Sequence, residues 1–280
     1  MRTIKNLLAG LAITLSFSGI AQAGAINIDL TSPNSRTGVF DGTYAKQYNY
    51  EKGDLGLSVT GWSYGLTTTT TSSQTCTKTN ARGVCTKYKT TTTTTTAVNN
   101  KIEQEFVGKW DGLGVEKTDS PNHAVDNEGG DFDMLLLSFD EVIKLLSIDL
   151  GWISGDSDIS LLAFTGTSFN SSSLLGKKWE DLIGNGWQSV GNYYNVDYGT
   201  NNGTVNQGGV ASQYWLVGAY NEKLGGFTGP NKNLSSGDDY FKVKGVSVER
   251  PPIVKVPEPG SLLLLALGLL GIGAVRRRVA

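Results

Sequence analysis

The stretch Asp140-Glu141-Val142-Ile143-Lys144-Leu145-Leu146-Ser147-Ile148-Asp149-Leu150 admits two readings, and the choice between them sets the fold class. Asp, Glu, Lys and Leu over 140–146 suit a helix. Beyond that point Leu146, Ile148 and Leu150 alternate with Ser147 and Asp149, which is the period-two pattern of a half-buried strand. Together with the apolar run at 132–139 this predicts two central strands joined near Asp140.

The same alternation recurs on either side. Ile26, Ile28 and Leu30 share one parity, as do Tyr44, Tyr48 and Tyr50, and then Leu55, Leu57 and Val59. Further strands are expected over 101–110, 159–165, 214–220 and 240–248, with a single helical turn over 179–183 and a Gly/Asn-rich connection over 184–209. Glycine supplies 36 of the 280 residues, so the turns between these strands are short and frequent. Nine or ten strands at this spacing predict an all-β, two-sheet, jelly-roll-like sandwich rather than a barrel.

Residues 67–96 differ from the rest. Thr dominates them, no acid is present, and Lys78, Arg82, Lys87 and Lys89 make the segment cationic. Two Thr tracts flank Cys76 and Cys85 almost symmetrically about Asn80 and Ala81. A fold-back there places the cysteines opposite one another at bridging distance, so the expectation is a disulfide-closed Thr hairpin inserted in the sandwich. A disordered Thr-rich loop is the alternative, and both forms offer hydroxyls for O-glycosylation.

The ends carry targeting signals. Arg2 and Lys5, an apolar run over 7–20 and Ala21-Gln22-Ala23 read as a Sec signal peptide over 1–23, which implies the Sec translocon and signal peptidase as partners. At the other end Val256-Pro257-Glu258-Pro259 is followed by an apolar run over 262–275 and by Arg276-Arg277-Arg278. As a helix that run reaches about 21 Å against a bilayer core of about 30 Å, a short transmembrane segment, with the arginines held on the cytoplasmic side. These three parts in order over 255–280 resemble the PEP-CTERM sorting signal. The resemblance implies an exosortase-like membrane enzyme as partner, transient anchoring, cleavage near Pro-Glu-Pro, and release to the cell surface or extracellular matrix. A second pair of motifs, Gly112-Leu113-Gly114-Val115 and Pro121-Asn122-His123-Ala124-Val125-Asp126-Asn127, is similar to the GLGV and PxHAxDN-like signatures of a subset of such proteins. It implies no catalytic role.

With the signal peptide and the tail from Pro257 set aside, 19 basic residues face 25 acidic ones over 24–256, and the ectodomain is taken as 24–254. An acidic ectodomain excludes nucleic acid as a partner. His123 is the single histidine, and no Gly-x-Ser-x-Gly elbow accompanies it, so it reads as a loop residue with a structural hydrogen bond. Asp131, Asp133, Asp156 and Asp158 are candidate ligands for a hard cation such as Ca²⁺, and with Asp238/Asp239 they form the acid pairs a glycosidase would need. The EF-hand and nonapeptide spacings are missing, so neither a metal nor any other cofactor is expected. Trp152 and Trp187, beside glycines, are the candidate platforms for stacking a sugar of an extracellular polysaccharide. The resulting expectation is a non-enzymatic, exported surface or matrix protein with a structural or adhesive role in a biofilm. A secreted carbohydrate-binding module or glycoside hydrolase is the alternative.

Overall fold

A computed structural model describes residues 24–40, 42–116, 123–197, 203–225 and 233–252. The signal peptide, Pro121 and Asn122, and the sorting signal with its apolar run at 262–275 lie outside the described residues. Among the described residues no helix is long and apolar enough to cross a membrane.

The chain is built from strands. In order they are β1 (Ile26–Asp29), β2 (Ser35–Val39), β3 (Tyr44–Lys52), β4 (Leu55–Thr79), β5 (Cys85–Lys109) and β6 (Leu113–Glu116). There follow β7 (Val125–Asp126), β8 (Met134–Gly155), β9 (Ile159–Phe164), β10 (Trp187–Tyr193), β11 (Ser212–Ala219) and β12 (Asp239–Glu249). The helical content described is four short 3-10 turns.

β8 organises the pairing. Its first half lies between β4 (Trp62 opposite Met134, Leu57 opposite Phe139) and β11 (Gly218 opposite Met134, Trp215 opposite Leu137). Its second half pairs with β12 from Lys144 opposite Glu249 to Gly155 opposite Asp239. Because one strand serves two neighbourhoods, the path β12–β6–β5–β3–β4–β8 returns to β12 and closes a six-stranded ring. β11, β9 and β10 continue outward from β8, β1 and β7 join β12, and β2 joins β3. The all-β class is therefore correct, but the pairing is one sheet closed on itself and not the two separate sheets of a sandwich. The expected break near Asp140 is also absent. β8 runs through it, and the irregularity there is a register shift against β11, where Ser212 lies opposite Ile143 and Tyr214 opposite Ser138.

Alternation places the cores. Odd residues Leu135, Leu137 and Phe139 of β8 face one core with Leu57, Val59, Val107, Trp215, Val217, Phe241 and Val243. Even residues Met134 and Leu136 face a second core with Trp62, Tyr64, Leu162 and Leu216. The 3-10 turns Ser171–Leu174 and Glu180–Leu182 cover that second face with Leu174, Trp179 and Leu182. A strand buried on both sides needs apolar residues at successive positions, which is why Met134-Leu135-Leu136-Leu137 runs without interruption.

The Thr segment forms the expected hairpin, closed by the Cys76–Cys85 disulfide with Cα atoms 5.8 Å apart. It is not an insertion between strands: β4 and β5 run from the body straight into it. The register pairs Cys76 with Tyr88 and Thr79 with Cys85, and irregularities beside Lys78 distort the ladder at that end. Side chains over 69–97 are exposed apart from half-buried Cys85. Thr70 and Thr94 Oγ1 lie 3.4 Å apart, and Ser72 Oγ and Thr92 Oγ1 3.3 Å, forming a hydroxyl ladder across the ribbon. β-branching holds these residues extended where no apolar surface does.

Candidate functional site

The acids gather where β8 ends and β12 begins. Gly155, at φ 75°, turns the chain so that Asp156 N–H donates to the Asp238 carbonyl at 2.8 Å, while Tyr240 N–H donates to the Asp156 carbonyl at 3.1 Å. Asn127 ties the cluster to the loop after β7. Its Nδ2 donates to Asp239 Oδ2 (2.6 Å) and to the Tyr220 carbonyl (2.9 Å), and its Oδ1 accepts from Gly237 N–H (2.9 Å) and Asp239 N–H (3.2 Å). Asp239 Oδ1 accepts Asp158 N–H at 2.7 Å, and Asp158 in turn accepts N–H groups of Asn195 (2.8 Å) and Ser235 (3.0 Å). Ser235 Oγ donates to Asp238 at 2.8 Å and reaches Asp156 at 3.4 Å.

Asp158 and Asp239 are fully buried. Burial, opposed by their N–H donors and reinforced by the neighbouring carboxylates, pushes Asp158 up to about 6 and Asp239 up to about 8. Asp156, Asp238 and Asp239 each offer an oxygen within 4.8 Å of the others, a spacing that a hard oxygen-seeking cation can bridge. Of the four ligand candidates named from sequence, only Asp156 lies in this group. Asp158 turns its carboxylate to backbone N–H groups. Asp131 accepts Tyr64 N–H at 3.1 Å, and Asp133 meets Asp126 N–H at 3.4 Å, so both hold the segment before β8 in place. Sequence marks Asn127 only as the last residue of the second motif and Ser235 not at all, since neither is charged and both lie far from Asp156 in the chain.

The two short motifs meet in space. Val115 N–H donates to the Ala124 carbonyl at 3.1 Å, and Gly114 lies directly against the His123 carbonyl, closer than any side chain permits. His123 is at φ 54° with its ring edge-on to Tyr44, centroids 5.0 Å apart. These residues lock β6 against the turn before β7, and Asn127 at the end of the second motif then organises the acid cluster.

The sugar-stacking candidates separate. Trp187 is 4 % exposed and packed edge-on against Phe164 and Phe169 at 5.5 and 5.2 Å, so neither ring face is open to a ligand. This corrects the expectation drawn from its flanking glycines. Trp187→Ala is expected to destabilise the body by about 3 kcal/mol, as for other buried large-to-small changes, seen as a lower denaturant midpoint. Trp152 is half-buried and shares a cation with Trp110, which is 66 % exposed. Lys242 Nζ lies 5.1 Å from the Trp110 ring centroid and 5.7 Å from that of Trp152, and burial lowers its pKa. Lys242 is itself 4 % exposed, so the ammonium lies beneath the two indoles and Trp110 is the part of this group open to solvent.

Neither a curated protein nor a solved structure matches the chain. Residues 255–278 match the PEP-CTERM protein-sorting motif, the segment read from Val256-Pro257-Glu258-Pro259 and Arg276-Arg277-Arg278. The β-structured body is thus the cargo of a protein that carries the PEP-CTERM sorting motif, the address of an exported, exosortase-sorted surface protein.

Proposed function

We propose that the chain is a non-enzymatic component of the cell surface or extracellular matrix, with a structural or adhesive role in a biofilm or exopolysaccharide layer. The sorting motif at 255–278 carries this reading. Support comes from the ribbon, a disulfide-closed arm suited to an oxidising compartment. A hydrolytic role is disfavoured because the acids whose pKa values would suit proton transfer, Asp158 and Asp239, are sealed from solvent and engaged by backbone donors. The Thr hydroxyls of the ribbon are proposed acceptors for O-glycans.

Mass spectrometry of the protein from envelope and medium, in cells with and without the processing enzyme, tests the reading. The product is expected to lose residues 276–278 only when the enzyme is present, and to carry hexose-spaced mass increments on 67–97. A product that keeps its arginines in the presence of the enzyme overturns the sorting mechanism. Unchanged matrix biomass on deleting the gene overturns the structural role.

A second reading, a carbohydrate-binding module, is favoured by exposed Trp110 beside half-buried Trp152, since indole faces stack on pyranose rings. Retention on an extracellular polysaccharide that falls in both Trp110→Ala and Trp152→Ala supports it. Equal retention in wild type and both variants removes it.

A further inference from the structure

We propose that the Thr ribbon is a self-association element whose open strand edges pair, antiparallel, with the same ribbon of a second copy of this chain.

Along β4 and β5, the open edges among the described residues lie in the ribbon, and the body's other edge strands, β1, β2 and β10, are short. Within the body the outer edge of β4 is taken by β8 from Leu57 to Trp62, and Tyr64 N–H is capped by Asp131. On β5, residues 106–109 pair with β6. Ile102 N–H donates to the Lys177 carbonyl, and Gly176 N–H donates to the Ile102 carbonyl, both at 2.8 Å. Beyond these caps, among the described residues, the strand pairing of β4 and β5 is with each other, from Thr67 opposite Ala97 to Thr79 opposite Cys85. This two-stranded ribbon is about 40 Å long at the usual rise of about 3.4 Å per residue.

Its sequence lacks the devices that block edge pairing. Proteins guard exposed edges with lysine, proline, inward charge or shortness. Residues 69–77 and 90–98 contain neither charge nor proline, and the ribbon is long. Two strands with no apolar face are marginal in water, so the ribbon gains from added strands. The complement is the ribbon itself, because Thr-on-Thr pairs of the kind already present between β4 and β5 repeat across a homotypic edge. Side chains stand off the two faces, so substituents on the hydroxyls leave the backbone edges bare.

Charge selects the orientation. Lys78, Arg82, Lys87 and Lys89 crowd the tip, and tip-to-tip alignment brings two such clusters within a Debye length of about 8 Å. The antiparallel alignment separates the tips by about the ribbon length and lays each beside the partner's base, where Lys101 is balanced by Glu103 and Glu105. A two-fold contact through β5 leaves the β4 edge open for a further copy, so the assembly extends instead of closing. The pairing is independent of how the tail is processed.

The exported protein, purified with its disulfide intact, is examined by sedimentation velocity from about 1 to 100 μM. Species larger than the monomer are expected to grow with concentration. Thr92→Lys/Thr94→Lys, which sets like charges of the two copies side by side across the homotypic pair, is expected to shift the association midpoint at least tenfold upward. Val142→Lys, at an exposed position on the body, leaves it unchanged. In a mixture of isotopically light and heavy copies, lysine cross-linking is expected to join Lys89 of one copy to Lys101 of another. A monomer at every concentration, association indifferent to the ribbon lysines, or cross-links joining Lys78 to Lys78 overturns the proposal.

Discussion

Gly114→Ala is expected to leave the body without a cooperative unfolding transition. A methyl at that position overlaps the carbonyl oxygen and carbon of His123, and both are backbone atoms that no rotamer change can move aside. β6 is short and joins β12 through a single pair, Val243 opposite Leu113, so the displaced strand has little to hold it. Relief requires opening the ring at its thinnest seam, at a cost above about 4 kcal/mol, a large part of a typical domain's 5–15 kcal/mol. Gly83 is the control. It has φ 76° at the ribbon tip, but nothing lies near its missing side chain, so alanine there costs about 1 kcal/mol and only locally. Urea unfolding followed by tryptophan fluorescence separates the two. A midpoint for Gly114→Ala within error of wild type would show that the motif contact does not support the ring.

This seam also shows what a sequence exposes and what it hides. Alternation in 26–30 and 55–59 marks strand faces correctly, because each has one face on a core and period two reports that face directly. In 146–150 it holds for Ile148 and Leu150, but a register shift beside Ser147 puts Leu145 in the core in place of Leu146. Alternation does not report which strand lies alongside. Closure depends on β8 exchanging β4 and β11 for β12 halfway along, and a residue such as Leu145 looks the same in either neighbourhood. Strand β10 was lost within the Gly/Asn-rich stretch since Trp187, Gly191 and Asn192 are buried without alternating with polar residues. The bridge between Cys76 and Cys85 was legible because two cysteines in an exported chain leave one pairing. The continuity of β4 and β5 into the ribbon was not, since Thr tracts carry no apolar rhythm. At the acid cluster, sequence spacing favoured Asp156 with Asp158, yet strand geometry sends neighbours two apart along different paths. What joins the acids is Asn127, a neutral residue 112 positions from Asp239.

The folded body is expected to be most stable near pH 5 and to lose on the order of 4 kcal/mol between pH 5 and pH 8. Asp239 keeps its proton in the fold up to about pH 8, whereas an unfolded aspartate releases it near 4. A carboxyl raised in this way stabilises the fold fully below the unfolded value, and that contribution disappears as pH rises through the folded one. Three pH units at about 1.4 kcal/mol each give the magnitude. Asp158, raised to about 6, and Asp149, raised by burial and by Asp197, act in the same direction. The acid limb has another origin. Thr31 donates from both N–H and Oγ1 to Asp29 and holds its carboxyl below the usual range, so that stability is lost as pH falls below about 4. Asp156→Asn removes a charge that raises both Asp158 and Asp239 while keeping the Oδ1 acceptor for Ser157 N–H, so it is expected to flatten the limb above pH 5. Chemical denaturation from pH 4 to 9 on both proteins checks the argument. Stability rising between pH 5 and pH 8 in wild type would mean that the cluster is ionised in the fold, with its repulsion cancelled by a bound cation rather than by retained protons.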